Sequence, residues 1–296
     1  MTARVLDGRA IAKDIASEVR HEVSAFERSG GTPPALVVVR VGDDPASVRY
    51  AVQLQRAFSG VGLAARVDAI PETIDDTGLE RHLRALGDDG SVNGILLQFP
   101  LPSHLLVERA VEAIHPLKDV DGVNPANAGR LLSGRGRHFA PATPLGGLEL
   151  LHRSRVTVVG AHAVVVGRSE IVGKPLALLL LRRHATVTIC HSRTLDLARY
   201  TLQAEILAVA VGRPGLIVGD MVAPGAAVID FGMNVVDGTL VGDVDAASVE
   251  PIAGALSPTP GGTGPMTNAM LMLNLLAAAR WQREAGRHPD ENVAQS

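Results

Sequence analysis

A single cysteine, Cys190, leaves this chain no partner for an internal disulfide, and a reducing compartment is compatible with that. Aromatic residues make up only 3 % of the sequence, so a core must be built from Ala, Val, Leu and Ile, which the 46 % hydrophobic content supplies. Lysine is nearly missing: Lys13, Lys118 and Lys174 are the only three in 296 residues. The formal net charge of −3 offers no electrostatic case for nucleic acid. The N-terminal segment has mixed charge and no apolar stretch of signal-peptide length. Of the most apolar stretches, 175–181 ends at Arg182 and Arg183, and 266–279 carries Asn268 and Asn274. Neither suits a bilayer span. The expectation is a cytoplasmic protein with no membrane or nucleic-acid partner. No internal repeat or low-complexity tract is visible.

What is present is a rhythm. Residues 8–28 place Ile11, Ile15, Val19, Val23 and Phe26 at helical spacing and stop before Gly30 and Gly31. The Val-rich run 35–41 reads as a buried parallel strand. A helix over 47–60, a strand over 64–69, a helix over 75–86 and a strand over 94–98 follow, the last stopped by Pro100 and Pro102. This βαβ alternation predicts an α/β fold with a largely parallel sheet. A Pro/Gly-rich stretch, 141–147, marks a domain change near residue 140. The rhythm then restarts with strands over 163–166, 186–190, 206–210 and 227–230 and a helix from about Gly173. A Pro/Gly loop over 257–267 leads into a last helix, 268–280, apolar over much of its surface. That helix is expected to pack back on the first domain. The polar tail from Glu284 is expected to fray.

The run Val164-Val165-Val166-Gly167-Arg168-Ser169-Glu170-Ile171-Val172-Gly173-Lys174-Pro175 ends a buried strand at a glycine and opens a helix a few residues on. Backbone N–H groups at such a helix start can cradle a phosphate. The spacing G-x-S-x-x-x-G departs from G-x-G-x-x-G, and an ordinary strand-to-helix turn has the same outline. The next strand sharpens the reading. Folds that prefer NAD usually end it on an acid that holds the ribose hydroxyls. Here it runs into His191-Ser192-Arg193-Thr194. Ser192, Arg193 and Arg168 suit a 2′-phosphate instead, so the residues point to NADP, although Arg193 taken alone could be a solvated loop charge.

Four further segments carry chemistry: Ser47-Val48-Arg49-Tyr50; Gly94-Ile95-Leu96-Leu97-Gln98-Phe99-Pro100; Lys118-Asp119-Val120-Asp121-Gly122; and Pro258-Thr259-Pro260-Gly261-Gly262-Thr263-Gly264-Pro265-Met266. With the nucleotide segment, in this order, they make the chain resemble the methylenetetrahydrofolate dehydrogenase/cyclohydrolase family from Leu6 to Asn274. The resemblance implies two α/β domains: a folate-binding catalytic domain over 1–140 plus 266–296, and a Rossmann-like NADP-binding domain over 141–265. It implies that Tyr50 stacks on the pterin, that Gln98 is the active-site glutamine, and that Asp121 hydrogen-bonds the pterin ring. These three are the candidate catalytic residues. Leu54, Leu97, Phe99, Pro260, Gly261, Gly262, Thr263 and Gly264 would line the folate pocket with them. Gly167, Arg168, Ser169, Ser192, Arg193 and Met233 would contact NADP. The partners implied are tetrahydrofolate derivatives and a second copy in a homodimer, with no metal. Each residue alone has a plainer reading: Asp121 as a loop acid, Gln98 as a strand-end polar group, Tyr50 as packing.

One departure matters most. The family normally carries a lysine one helical turn after its tyrosine, where this chain has Leu54. No register shift restores it, because no lysine lies between Lys13 and Lys118. Arg56 cannot act as a base, while Gln53 could fill part of the space as a hydrogen-bonder. Lesser departures from the family pattern are Asn124, Ala142, Thr259, Thr263 and Asn268. The expectation is an NADP-dependent methylenetetrahydrofolate dehydrogenase whose cyclohydrolase activity is weak or lost. The alternatives are a fully bifunctional enzyme, a folate- and NADP-binding protein without turnover, and an amino-acid or shikimate-type dehydrogenase. The last would need a lysine–aspartate pair, for which Lys13 is poorly placed.

Overall fold

The structure, a computed structural model, describes residues 2–287. In chain order the first half forms β1 (Arg4–Val5), α1 (Gly8–Arg28), β2 (Ala35–Val41), α2 (Pro45–Ser59), β3 (Ala64–Ile70), α3 (Asp76–Asp88), β4 (Gly94–Leu97), α4 (Val107–Ala113) and α5 (Pro125–Ser133). The second half forms α6 (Ala142–Arg153), β5 (His162–Val166), α7 (Gly173–Arg182), β6 (Thr186–Cys190), α8 (Leu197–Thr201), β7 (Ile206–Val209) and β8 (Ala227–Asp230). It ends with β9 (Asn234–Val236), β10 (Thr239–Val241), α9 (Ala246–Val249), β11 (Ala255–Leu256) and α10 (Thr263–Arg287). Among the described residues no helix is long and apolar enough to cross a membrane.

The chain divides into two compact units. One comprises Ile15–Ala140 and the chain from Leu271; the other comprises the chain up to Asp14 and Pro141–Met270.

In the first unit β2 is the middle of a three-stranded parallel sheet, β3-β2-β4. Val37 and Val39 of β2 face a core that α3 completes with Leu79, Leu83 and Leu86. The α10 segment from Leu271 packs closely here. A Cβ on Gly94 would come within 2.7 Å of Leu275 Cδ1. The rings of Phe139 and Trp281 stack at 4.7 Å. The last helix therefore does return to the first half of the chain.

The second unit is built on a six-stranded parallel sheet, β1-β11-β8-β7-β5-β6. Its inner strands β5, β7 and β8 are rich in Val, Ile, Leu and Ala because both faces are covered; Val164, Val165, Leu207, Val228 and Ile229 are fully buried. From β5 the chain goes to one side for β6 and to the other for β7. Ligands of open α/β sheets bind at such a reversal, outside the carboxyl ends of the strands.

Two expectations about boundaries need correction. Residues up to Asp14 belong with the second unit, because β1 pairs in parallel with β11, Arg4 opposite Ala255 and Val5 opposite Leu256. The stretch 141–147 does lie at the division, which falls between Ala140 and Pro141, and it opens α6. Its glycines serve close approach: a Cβ on Gly147 would sit 2.2 Å from Phe231 Cζ, and one on Gly146 3.0 Å from Met266 Cβ. The last helix starts at Thr263, not Asn268; Pro265 falls in its first turn, where proline is tolerated. The helix also runs through Glu284 to Arg287, and the rest of the tail expected to fray lies outside the described residues.

Candidate active site

In the first unit the candidate residues gather where α2, the end of β4 and the turn after α4 meet. Helix α2 starts at a true cap: Asp44 accepts from Ser47 N at 2.8 Å. Such a cap is worth about 1 kcal/mol. The helix turns Ala51, Leu54 and Phe58 into the core. Leu54 is 0 % exposed, one turn after Tyr50, whereas Gln53 and Arg56 are exposed. Gln53 therefore does not fill the place expected for it. The Tyr50 phenol is pushed well above its usual range, first by burial and then by the Asp121 carboxylate. Tyr50 thus lies within electrostatic reach of the Asp121 carboxylate and is a neutral, protonated donor rather than a base.

Gln98 continues β4: its N–H donates to Val39 O at 2.9 Å. Its side-chain Nε2 donates to Ser47 O at 3.2 Å, which ties it to α2. The buried Oε1 has no hydrogen-bond partner. A buried acceptor left open costs free energy unless a ligand donor meets it. Leu97 is buried and Phe99 half-buried on either side.

The turn carrying Asp121 is organised by residues whose roles the sequence did not reveal. Asp119 is fully buried, and burial pushes its carboxyl up. It accepts from Val123 N at 3.1 Å, Asn124 N at 2.8 Å and Asn127 Nδ2 at 2.8 Å. Asn274 of α10 donates to Val120 O at 2.8 Å. Asp121 is thereby held from both sides. Lys118 is occupied elsewhere: its Nζ donates to Leu86 O and Asp89 O, at 3.1 and 2.7 Å, closing the end of α3. Lys13 is exposed.

In the second unit the turn after β5 is packed backbone on backbone. Gly167 has φ +134°, and a Cβ there would lie 2.2 Å from Ala210 O. A Cβ on Gly173 would lie 2.3 Å from Gly167 O. No side chain fits either place, so both positions require glycine for the turn to pack this closely. Ser169 Oγ accepts from Val172 N at 3.2 Å and Gly173 N at 3.3 Å, shaping the start of α7. Arg168 and Ser169 are exposed. The turn after β6 is its neighbour, since Gly167 N donates to Cys190 O at 2.8 Å. Ser192 and Arg193 are exposed on that turn, which Thr194 closes by accepting from His191 N at 2.9 Å.

At the end of β8, Met233 is 65 % exposed. The loop Pro260-Gly261-Gly262-Thr263-Gly264 lies close to it: a Cβ on Gly264 would sit 3.8 Å from Met233 Sδ. Pro260 is exposed, Gly261, Gly262 and Thr263 are buried, and Gly264 is half-buried. Arg9 N donates to Gly261 O at 3.1 Å, and Thr263 Oγ1 donates to Asp230 O at 2.9 Å. Burial pushes the Asp230 carboxyl up to about 6, against three backbone N–H bonds that pull it down.

Comparison with known proteins decides the family. The description "Tetrahydrofolate dehydrogenase/cyclohydrolase, catalytic domain" matches residues 6–121. Its companion, "Tetrahydrofolate dehydrogenase/cyclohydrolase, NAD(P)-binding domain", matches 141–283. The chain belongs to the tetrahydrofolate dehydrogenase/cyclohydrolase family. Within this family it is 51 % identical to the bifunctional protein FolD of Roseiflexus castenholzii, over 95 % of this chain and 98 % of that one. The crystal structure of the bifunctional enzyme FolD from Campylobacter jejuni is 39 % identical, with TM-score 0.92, covering 94 % of this chain and 99 % of that one. The Trypanosoma brucei FolD, solved with NADP cofactor and inhibitor, is 36 % identical with TM-score 0.90, over 96 % of this chain and all (100 %) of that one. Tyr50, Leu54, Leu97, Gln98, Phe99 and Asp121 fall inside the catalytic-domain match. Gly167, Arg168, Ser169, Ser192, Arg193, Met233 and the 260–264 loop fall inside the NAD(P)-binding match.

Proposed function

We propose that this enzyme oxidises 5,10-methylenetetrahydrofolate to 5,10-methenyltetrahydrofolate with NADP, and that its cyclohydrolase activity is weak or lost. NADP supplies the hydride acceptor. The chain's own residues bind and orient. Asp121 accepts hydrogen bonds from the pterin's amino and ring N–H groups, Gln98 offers its open Oε1, and Tyr50 presents its ring and a protonated hydroxyl. The folate's nitrogen lone pairs expel the hydride and stabilise the cation formed, so the protein contributes chiefly proximity and orientation. Arg168, Ser192 and Arg193 would hold the 2′-phosphate by charge-assisted hydrogen bonds.

Ring opening of the methenyl product makes a different demand. Water must be activated and a proton moved, tasks worth typically about 10²–10⁴-fold from a positioned group. The observation that carries the proposal is Leu54, fully buried one turn from Tyr50 in a segment without lysine. A leucine supplies neither proton nor charge. A second reading, full bifunctionality, is favoured by the relatives that carry the name bifunctional FolD. It would need Asp121 or Gln98 to activate the water. The test is to assay both half-reactions on the purified enzyme, with NADP and NAD compared. Hydride transfer preferring NADP with little hydrolysis supports the proposal; absent hydride transfer contradicts it.

A further inference from the structure

Two buried carboxylates at the carboxyl end of the larger sheet have no part in the roles above. Asp243 is fully buried and accepts four hydrogen bonds. Val211 N and Gly212 N donate to its Oδ2, at 2.7 and 2.9 Å. Arg213 N and Asn234 Nδ2 donate to its Oδ1, at 2.8 and 2.9 Å. Asp230, 3 % exposed at the end of β8, accepts from Asp243 N and Gly232 N on Oδ1, at 3.0 and 2.7 Å. Its Oδ2 accepts from Val244 N at 3.0 Å. Asp230 thus seats Asp243, and Asp243 gathers three successive N–H groups of the loop that leaves β7.

The place of that loop gives the arrangement its meaning. Strands β5 and β7 flank the reversal in strand order where a dinucleotide lies in such sheets. In a planar trans peptide the carbonyl points away from the N–H. With Val211 N–H aimed at Asp243, the carbonyl of the same peptide, Ala210 O, faces the other way. It is the atom a Cβ on Gly167 would strike at 2.2 Å. Asp243 therefore sets the peptide that abuts the phosphate-side glycine, and residues 211–213 continue from there.

We propose that Asp243, seated by Asp230, is a positioning residue for the dinucleotide: it fixes loop 211–213 as one wall of the crevice between β5 and β7. The proposal rests on the reading of that crevice as the NADP site. Charge-assisted bonds from buried donors are the strong kind, so losing them reorients the loop rather than merely loosening it.

The test is Asp243→Asn in the full-length enzyme. The substitution keeps the shape but turns one acceptor oxygen into an amide that faces N–H donors. The apparent KM and Kd for NADP should rise about tenfold, with kcat at saturating NADP and folate affinity nearly unchanged. A merely structural carboxylate would lower the melting temperature and the active fraction, hence kcat, with the KM for NADP unmoved; that result overturns the proposal. Should Asp243→Asn fail to fold, Asp230→Asn carries the test, since it loses a single bond to Val244 N. It should raise the KM for NADP severalfold, and an unchanged KM overturns the proposal equally. A wild-type enzyme that binds no NADP would instead overturn the cofactor reading beneath it.

Discussion

Replacing Leu54 with lysine tests the proposal that the cyclohydrolase activity is weak or lost. Leu54 is 0 % exposed on the buried face of α2 with Ala51 and Phe58. Removing a buried leucine outright costs about 2–5 kcal/mol. The aliphatic stem of lysine recovers part of that contact if its head finds a polar exit. Tyr50, one turn or about 5.4 Å toward the N-terminus, feels the Asp121 carboxylate. The ammonium therefore has an acid to aim at, and the net cost should fall to about 1–3 kcal/mol. That lowers the melting temperature by several degrees without unfolding the enzyme. Hydrolysis of methenyltetrahydrofolate should rise about 10²–10⁴-fold over the wild-type enzymatic rate, the range for a positioned proton-transfer group. Hydride transfer should change far less, because its charge is delocalised within the folate. The assay is methenyl decay, corrected for the buffer reaction, beside a thermal melt. A folded Leu54→Lys enzyme that binds folate yet hydrolyses no faster than wild type would refute the reasoning.

Three more outcomes follow from the same geometry. Arg168→Ala should raise the KM for NADP about tenfold or more and leave that for NAD nearly unmoved, the difference being one charge-assisted contact to the 2′-phosphate; equal losses for both nucleotides would remove the 2′-phosphate assignment. Asp121→Ala should weaken folate binding while NADP affinity and the fold survive, and a calorimetric titration with unchanged folate affinity would make Asp121 structural. Asp230 carries a carboxyl raised from 3.8 to about 6 by burial. It contributes extra stability that is fully present below about pH 4 and lost as pH rises through about 6, a swing of about 3 kcal/mol at most. Denaturant melts of wild type and Asp230→Asn should therefore diverge with pH in that window, wild type losing ground toward pH 7, and parallel curves would contradict the shift.

Much of the fold was legible because parallel strands buried on both faces leave continuous Val and Ile runs. Strand 35–41 is read at its observed limits for that reason, while the half-exposed strand 186–190 is read from its β-branched residues. The two-residue strands β1 and β11 carry no period to read, so the N-terminal residues were assigned to the other unit. Gly146 and Gly147 belong to the Pro/Gly-rich stretch that marks the domain change, and in the structure they let α6 approach Met266 and Phe231. Of the candidate site, Tyr50 and Asp121 are placed within each other's electrostatic reach. The organising acids Asp230 and Asp243 stayed hidden because an acid whose partners are distant backbone N–H groups has no sequence spacing of its own, and Asp119 because its partners are mostly backbone N–H groups of a local turn that any sequence carries. The one available signal was their position beside strand ends and glycines, as in Lys118-Asp119-Val120-Asp121-Gly122 and Gly242-Asp243-Val244.

The measurement that bears most directly on the central claim uses the unmodified enzyme. Methenyltetrahydrofolate decay is followed with and without protein at neutral pH, in a buffer of low catalytic power, on a preparation first shown to transfer hydride to NADP. The buried leucine at position 54 predicts decay indistinguishable from the buffer rate, or nearly so. Robust enzymatic hydrolysis by that same preparation would show that no lysine is needed at position 54 and that the enzyme is fully bifunctional.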